Sequence, residues 1–259
     1  MPTDESRFME PLLLAGRLIM ENGGETYRVE ETITRMGRAF GLSEVESFAV
    51  PSGLFVSYRR GDGGTETAVK RVHKGPTNLC RVDEVNAVSR LVEQEGLSCE
   101  DTLRRLQDVA SGAPLVKRPL LLVAAAICAA GFAGMFGGDA ADMLISGVTA
   151  LMVQGLTQLA ARVRITGLAA TLLGSLLSTL LPMLLSHFTG LGHVQPIVAG
   201  TLMPLLPGLA MTNAVQDTIR GDMISGLAHG ILALLTAALV AGGALCAAAL
   251  MQLMGGAAL

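Results

Sequence analysis

The second half of the chain has almost no charge. After Arg118 the only formally charged side chains are Arg162, Arg164, Arg220, Asp139, Asp142, Asp217 and Asp222, although the 259 residues carry 19 Lys and Arg and 22 Asp and Glu in all. A soluble domain must cover itself with polar side chains, so this scarcity excludes a soluble second half and calls for lipid around most of its surface. The sequence also lacks a basic stripe or a basic patch interleaved with aromatics, which at a net charge of -3 removes nucleic acid from the expected partners. It lacks paired cysteines: Cys80, Cys99, Cys128 and Cys246 share no spacing that suits zinc or a redox dithiol, and they read as small apolar fillers. No two of His187, His193 and His229 stand at i, i+4, so no metal site is expected. The apolar runs hold no serine with a base and no paired aspartates at matched depth, so neither an intramembrane enzyme nor a cofactor is expected. Asp4, Glu5 and Glu10 precede an apolar run that is short and broken by Arg17, so a cleaved secretory signal is not expected and the N-terminus is placed in the cytoplasm.

What is present divides in two. From Ser6 to about Phe40, apolar residues recur at three- and four-residue steps, with Gly23 and Gly24 breaking the pattern into two helices. Ser47 to Arg60 alternates, the cluster Gly61–Gly64 reads as a turn, and Thr65 to Val72 reads as a second strand, giving a hairpin. Asn78 to Gln94 returns to helical spacing, and Ser98 with Asp101 resembles a capping box that opens a last helix through Val109. Residues 1–115 are therefore expected to form a small α+β domain in the cytoplasm, ended by the linker Ser111–Pro114. Residues 116–259 are expected to be a bundle of about five transmembrane α-helices, at 120–136, 143–160, 165–187, 194–213 and 224–252, each near the roughly 17 to 25 residues a tilted span needs.

Positive charge gives an independent test of orientation, because cytoplasmic loops collect Lys and Arg. Lys117 and Arg118, Arg162 and Arg164, and Arg220 all fall on one side of a five-span arrangement, while the loops Gly137–Asp142 and Ser186–His193 have neither residue. The expected protein is a multi-pass protein of the cell inner membrane, N-terminus inside and C-terminus outside.

The most unusual stretch is Met203–Asp217, MPLLPGLAMTNAVQD. Pro204 and Pro207 each remove a backbone donor from a membrane helix, and Gly208 follows, so freed polar groups must find partners in protein or in a water-filled cavity. Broken helices of this kind line transport sites; a plain proline kink is the other reading. Asn213 and Asp217 share a helix face at i, i+4, where the acid would bind an ammonium group or carry a proton; alternatively Asp217 is an interfacial residue beside Arg220 and Asp222. Arg162 and Arg164 either attract a carboxylate at the inner mouth or only mark topology. Glu25, Arg28 and Glu30 open a helix after the double glycine, where acids are favoured by the helix dipole in any case. Gly134 with Gly138, and Gly226 with Gly230, give small-residue faces for close helix packing.

Two stretches carry a resemblance to a known family. GRLIMENGGETYRVEETITRMGRAFGL, Gly16–Leu42, and LLPGLAMTNAVQDTIRGDMISGLAHG, Leu205–Gly230, resemble the opening cytoplasmic helices and the Pro-Gly, Asn-Ala and Asp signature of the threonine/serine exporter family, in its short split-subunit branch. The resemblance implies that Pro207, Gly208, Asn213 and Asp217 belong to a transport region and that Glu25, Arg28 and Glu30 belong to a cytoplasmic helix motif. It also implies a second, smaller membrane subunit, since long fused members carry about twice as many spans; a homo-oligomer is the alternative. The expected function is export of a small polar metabolite, threonine or serine or a dicarboxylate such as succinate, driven by proton entry. The rival reading is a membrane-anchored sensor or regulator whose cytoplasmic domain binds a ligand.

Overall fold

A computed structural model describes residues 7–73, 75–112, 116, 118–163 and 166–255. The chain folds as two compact units, one of Met1–Leu115 with Ala210–Gly230, the other of Val116–Leu209 with Ile231–Leu259. The architecture is mostly helical with one small sheet.

In the first unit, helices α1 (Met9–Glu21) and α2 (Thr26–Ala39) precede strands β1 (Ser43–Val50), β2 (Gly53–Arg59) and β3 (Thr65–Arg71), followed by α3 (Leu79–Glu95) and α4 (Cys99–Ser111). The sheet is an antiparallel meander in the order β1-β2-β3. A single strand over Ser47–Arg60 was the expectation; instead Val50 pairs with Gly53, and Pro51 and Ser52 form a two-residue turn. Proline supplies a fixed φ and no ladder donor, which suits the turn and ends the strand. Leu54, Val56 and Tyr58 of β2 are buried with Leu12 and Ile19 of α1 and Ile33 of α2 in one apolar core. Asn78 and Ser98 cap α3 and α4, each side-chain oxygen accepting from the backbone N–H three residues on.

The second unit holds α5 (Arg118–Met135), α6 (Ala140–Arg162), α7 (Gly167–Thr189), α8 (Val194–Leu202) and a 3-10 turn (Met203–Leu205); the residues of α9 (Gly208–Arg220) and α10 (Met223–Leu253) are divided between the two units. Among the described residues α6, α7 and α10 are long and apolar enough to cross a bilayer, and the bent pair Val194–Leu205 and Gly208–Arg220 makes a fourth if counted as one span. The apolar stretch of α5, Pro119–Met135, is shorter than the roughly 20 residues a span needs. The fourth helix departs from the expected 194–213: it breaks after Leu205, where Leu206 is extended, and resumes at Gly208 to run on to Arg220. The prolines at 204 and 207 account for the break, and the polar face of α9 accounts for its continuation.

Helices α5 to α8 pack closely because small residues line their crossings. A Cβ on Gly200 of α8 would lie 2.5 Å from the Ala129 carbonyl oxygen and 2.6 Å from Ser146 Oγ, so only glycine fits. Pro182 inside α7 removes the N–H that would have bonded the Ser178 carbonyl, and the hydroxyl of Thr201 on α8 lies 2.9 Å from that oxygen. Among the described residues the neighbouring hydroxyls Ser178 Oγ and Thr179 Oγ1 are buried without a partner.

Candidate functional site

Helix α9 presents Met211, Val215 and Ile219 outward and buries Asn213 and Asp217 on its opposite face. It stops in a Schellman turn: Gly221, at φ +95°, donates to Thr218 O at 3.1 Å and Asp222 N donates to Asp217 O at 2.9 Å. The turn brings back α10, whose buried Ser225 and His229 repeat the i, i+4 spacing of Asn213 and Asp217. Two polar helix faces thus meet inside the first unit.

Asp217 is their centre. Its Oδ1 accepts the hydroxyl of Thr26, in the first turn of α2, at 2.8 Å, and its Oδ2 lies 2.9 Å from Nδ1 of His229. Against an ionised carboxylate, which only accepts, Nδ1 is the donor in this contact. Around this point Asn213 Nδ2 reaches the Gly23 carbonyl at 3.5 Å, and the Arg220 guanidinium stacks over the Tyr27 ring at 3.5 Å. Glu25 pairs with Arg28 at 2.8 Å, and Glu30 accepts the Ala49 N–H at 3.0 Å.

The electrostatics of the outer groups follow from this crowding. Burial pushes Glu30 above the ordinary carboxylate value, and the charges of Asp222 and Asp217 push it the same way against the Ala49 hydrogen bond. Asp222 is raised by burial and by Asp217. Burial also acts to raise Glu25, but its bond to Arg28 and the positive charges of Arg28 and Arg220 hold it below the ordinary value.

The residues expected from the sequence are therefore divided. Asn213, Asp217, Glu25, Arg28 and Glu30 lie in the first unit, whereas Pro204, Pro207 and Gly208 lie at the helix break in the second. Arg162 ends α6 and Arg164 lies outside the described residues. Thr26, Ser225 and His229 were missed by sequence reasoning. The signal that would have found the last two was the matched i, i+4 polar pairs flanking Gly221 and Asp222.

A second cluster lies in the second unit. Asp139, Asp142 and His193 each offer a ligand atom within 4.8 Å of the others, a juxtaposition across 51 residues that spacing rules on one helix could not detect. Asp139 and Asp142 cap α6 reciprocally, at 2.9 and 3.0 Å, and Asp142 also accepts the His193 N–H at 2.7 Å and faces its Nδ1 at 2.9 Å. These bonds occupy both Asp142 oxygens, and the cluster closes on itself as a cap that ties the α5–α6 turn to the start of α8.

The family described as "Putative threonine/serine exporter" matches residues 10–251. Two similar proteins are both named "Probable succinate transporter subunit YjjP". That of Escherichia coli (strain K12) is 26% identical over 253 residues, covering 93% of this chain and 94% of its own. That of Klebsiella aerogenes is 28% identical over 231 residues, covering 85% of each. No solved structure matches the chain. With a match over nearly the whole sequence and several apolar helices of membrane length, the chain belongs to the threonine/serine exporter family and is a multi-pass membrane transport protein.

Proposed function

We propose that the chain is one subunit of an inner-membrane exporter of a small polar metabolite, completed by a second small membrane subunit of the same family. The observation that carries the reading is the broken helix Val194–Leu205, Gly208–Arg220, which leads from a proline-interrupted apolar segment into a buried carboxylate at Asp217. Helix breaks at membrane depth expose backbone groups for a solute, and a buried acid is a costly group kept for a task. The naming of both relatives as succinate transporter subunits supports a dicarboxylate as cargo and a multi-subunit assembly. In this reading the short α5 is a fifth span, residues 1–115 face the cytoplasm, and the C-terminus lies outside, with proton entry driving export.

Efflux of labelled succinate, threonine and serine from cells expressing the chain, with and without a second small subunit of the family, tests the reading. Export that requires both chains and is lost in Asp217→Asn, with the variant still inserted in the membrane, is the expected result. Efflux unchanged by Asp217→Asn removes the carboxylate from the mechanism. A second reading, a ligand-sensing regulator, is favoured by one observation: a cleft of about 780 Å³ in the first unit, lined by Arg35, Arg38, Arg220, Tyr27 and three glutamates. Dicarboxylate-dependent signalling that survives loss of all export would favour it.

A further inference from the structure

The Asp217 side chain has no accessible surface (0%), and His229 keeps only 9% of its own. An ionised carboxylate so placed persists only where donors satisfy it, and it is stabilised further by a positive charge nearby. Thr26 and His229 supply one donor to each oxygen. Neither supplies a full charge while the imidazole is neutral. Among the described residues, the other charged groups that face this point do not supply one by contact. Arg220, on α9 itself, is committed to the face of Tyr27. On α2, Glu25 and Arg28 are paired to each other and Glu30 is an acid. Asp222 in the α9–α10 turn is another acid, and β1 contributes the main chain of Ala49. Glu30 and Asp222 thus add acidic groups, not cations, beside Asp217.

We propose that Asp217 and His229, held in register by Thr26, form a single proton-binding couple. His229 takes a proton from hydronium at Nε2, an N–H bond forming as an O–H bond of the hydronium breaks to leave water, and Asp217 holds the resulting imidazolium through Nδ1. The couple passes from a net charge of minus one to zero, so loading replaces a buried uncompensated anion with a neutral ion pair. The imidazole is the entry point, because it alone of the two side chains reaches the surface. Thr26 belongs to the first turn of α2, so the charge at this junction is felt directly by the Gly-Gly-Glu-Thr-Tyr-Arg segment, whose other members clasp the same hairpin through Gly23 and Tyr27. The use of the proton in export rests on the proposed function; its binding does not.

Histidine-ring NMR of the full-length chain in detergent tests the couple. The sequence has four histidines, so loss of a resonance in His229→Gln assigns it; a variant with Gln at His73, His187 and His193 isolates it should His229→Gln fail to fold. The expected result is that Asp217→Asn lowers the proton affinity of His229 at least about tenfold, one pH unit, and that Thr26→Val lowers it by less. A His229 titration unchanged by Asp217→Asn overturns the proposal. In cells, His229→Gln is expected to flatten the pH dependence of succinate efflux. Efflux lost in Asp217→Asn alongside an unmoved His229 titration sinks the couple alone, whereas a shifted titration in a chain that exports none of the three solutes keeps the couple and sinks the exporter reading.

Discussion

Glu30 is the residue at which the crowding of carboxylates is most exposed to measurement. Its folded-state proton affinity is raised, first by burial and then by Asp222 and Asp217. The sign follows from linkage: a raised acid contributes fully to stability below its unfolded value, about 4.3, and that contribution is lost as pH rises through the higher folded value. The ionised form of Glu30 is therefore unfavourable in the folded chain. Glu30→Gln keeps an oxygen for the Ala49 N–H, which Glu30 Oε1 accepts at 3.0 Å, and removes the charge. The variant is expected to unfold at a higher temperature than the parent at pH 7, with the difference shrinking to nothing below about pH 4. Thermal unfolding of both proteins across that range is the check; a lower neutral-pH midpoint in the variant means that the ionised form is favourable. At this scale the shared helix face of Asn213 and Asp217 was legible from their spacing. Thr26 and His229 were not, because a threonine after a helix-opening acid and a histidine in an apolar helix are ordinary until a turn at Gly221 and the packing of α2 bring both to Asp217.

Elements that sequence reasoning placed well are those whose boundaries are written in local chemistry: α3 and α4 begin at Asn78 and Ser98, whose side chains cap them. The elements it misplaced depend on tertiary satisfaction. Alternation ran unbroken through Pro51 and Ser52, so one strand was expected where the register shows two. The run of α9 to Arg220 was hidden because charged residues there were counted as lying outside the bilayer, whereas Asp217 is buried against protein. Helix α7 shows the same dependence in reverse. Its Pro182 leaves the Ser178 carbonyl without an intrahelical donor, and Thr201 reaches that oxygen at 2.9 Å while also lying 3.0 and 3.1 Å from carbonyls of its own helix. Thr201→Val keeps the shape and deletes the donor, so it is expected to destabilise the second unit by about 1–3 kcal/mol, while Thr201→Ser stays within about 1 kcal/mol of the parent. Denaturant titration in mild detergent separates them, and equal stability of the Val and Ser variants would show that the freed carbonyl finds another partner.

For the molecule as a whole, the division of charge along the sequence was the most legible feature, since lipid excludes formal charge whatever the helix packing. Its finer consequence, the number and direction of crossings, depends on α5 and on the bent pair, which stand at the margin of the lengths a bilayer requires. Positive charge supports the proposed five-span arrangement: Lys117, Arg118, Arg162, Arg164 and Arg220 fall on one side only if α5 crosses and the bent pair crosses once. Dropping either crossing moves positive loops to the outside. Single cysteines in a cysteine-free background make this measurable. Thr189, at the end of α7, and Val163, just after α6, are both exposed, so their replacement disturbs little. In intact cells a membrane-impermeant thiol reagent is expected to label Thr189→Cys, and to label Val163→Cys only after the membrane is opened. The reverse pattern would invert the protein and place Arg162 and Arg164 outside. Labelling of both sites from outside would mean that α7 does not cross at all, a result its 23-residue length and high hydropathy oppose.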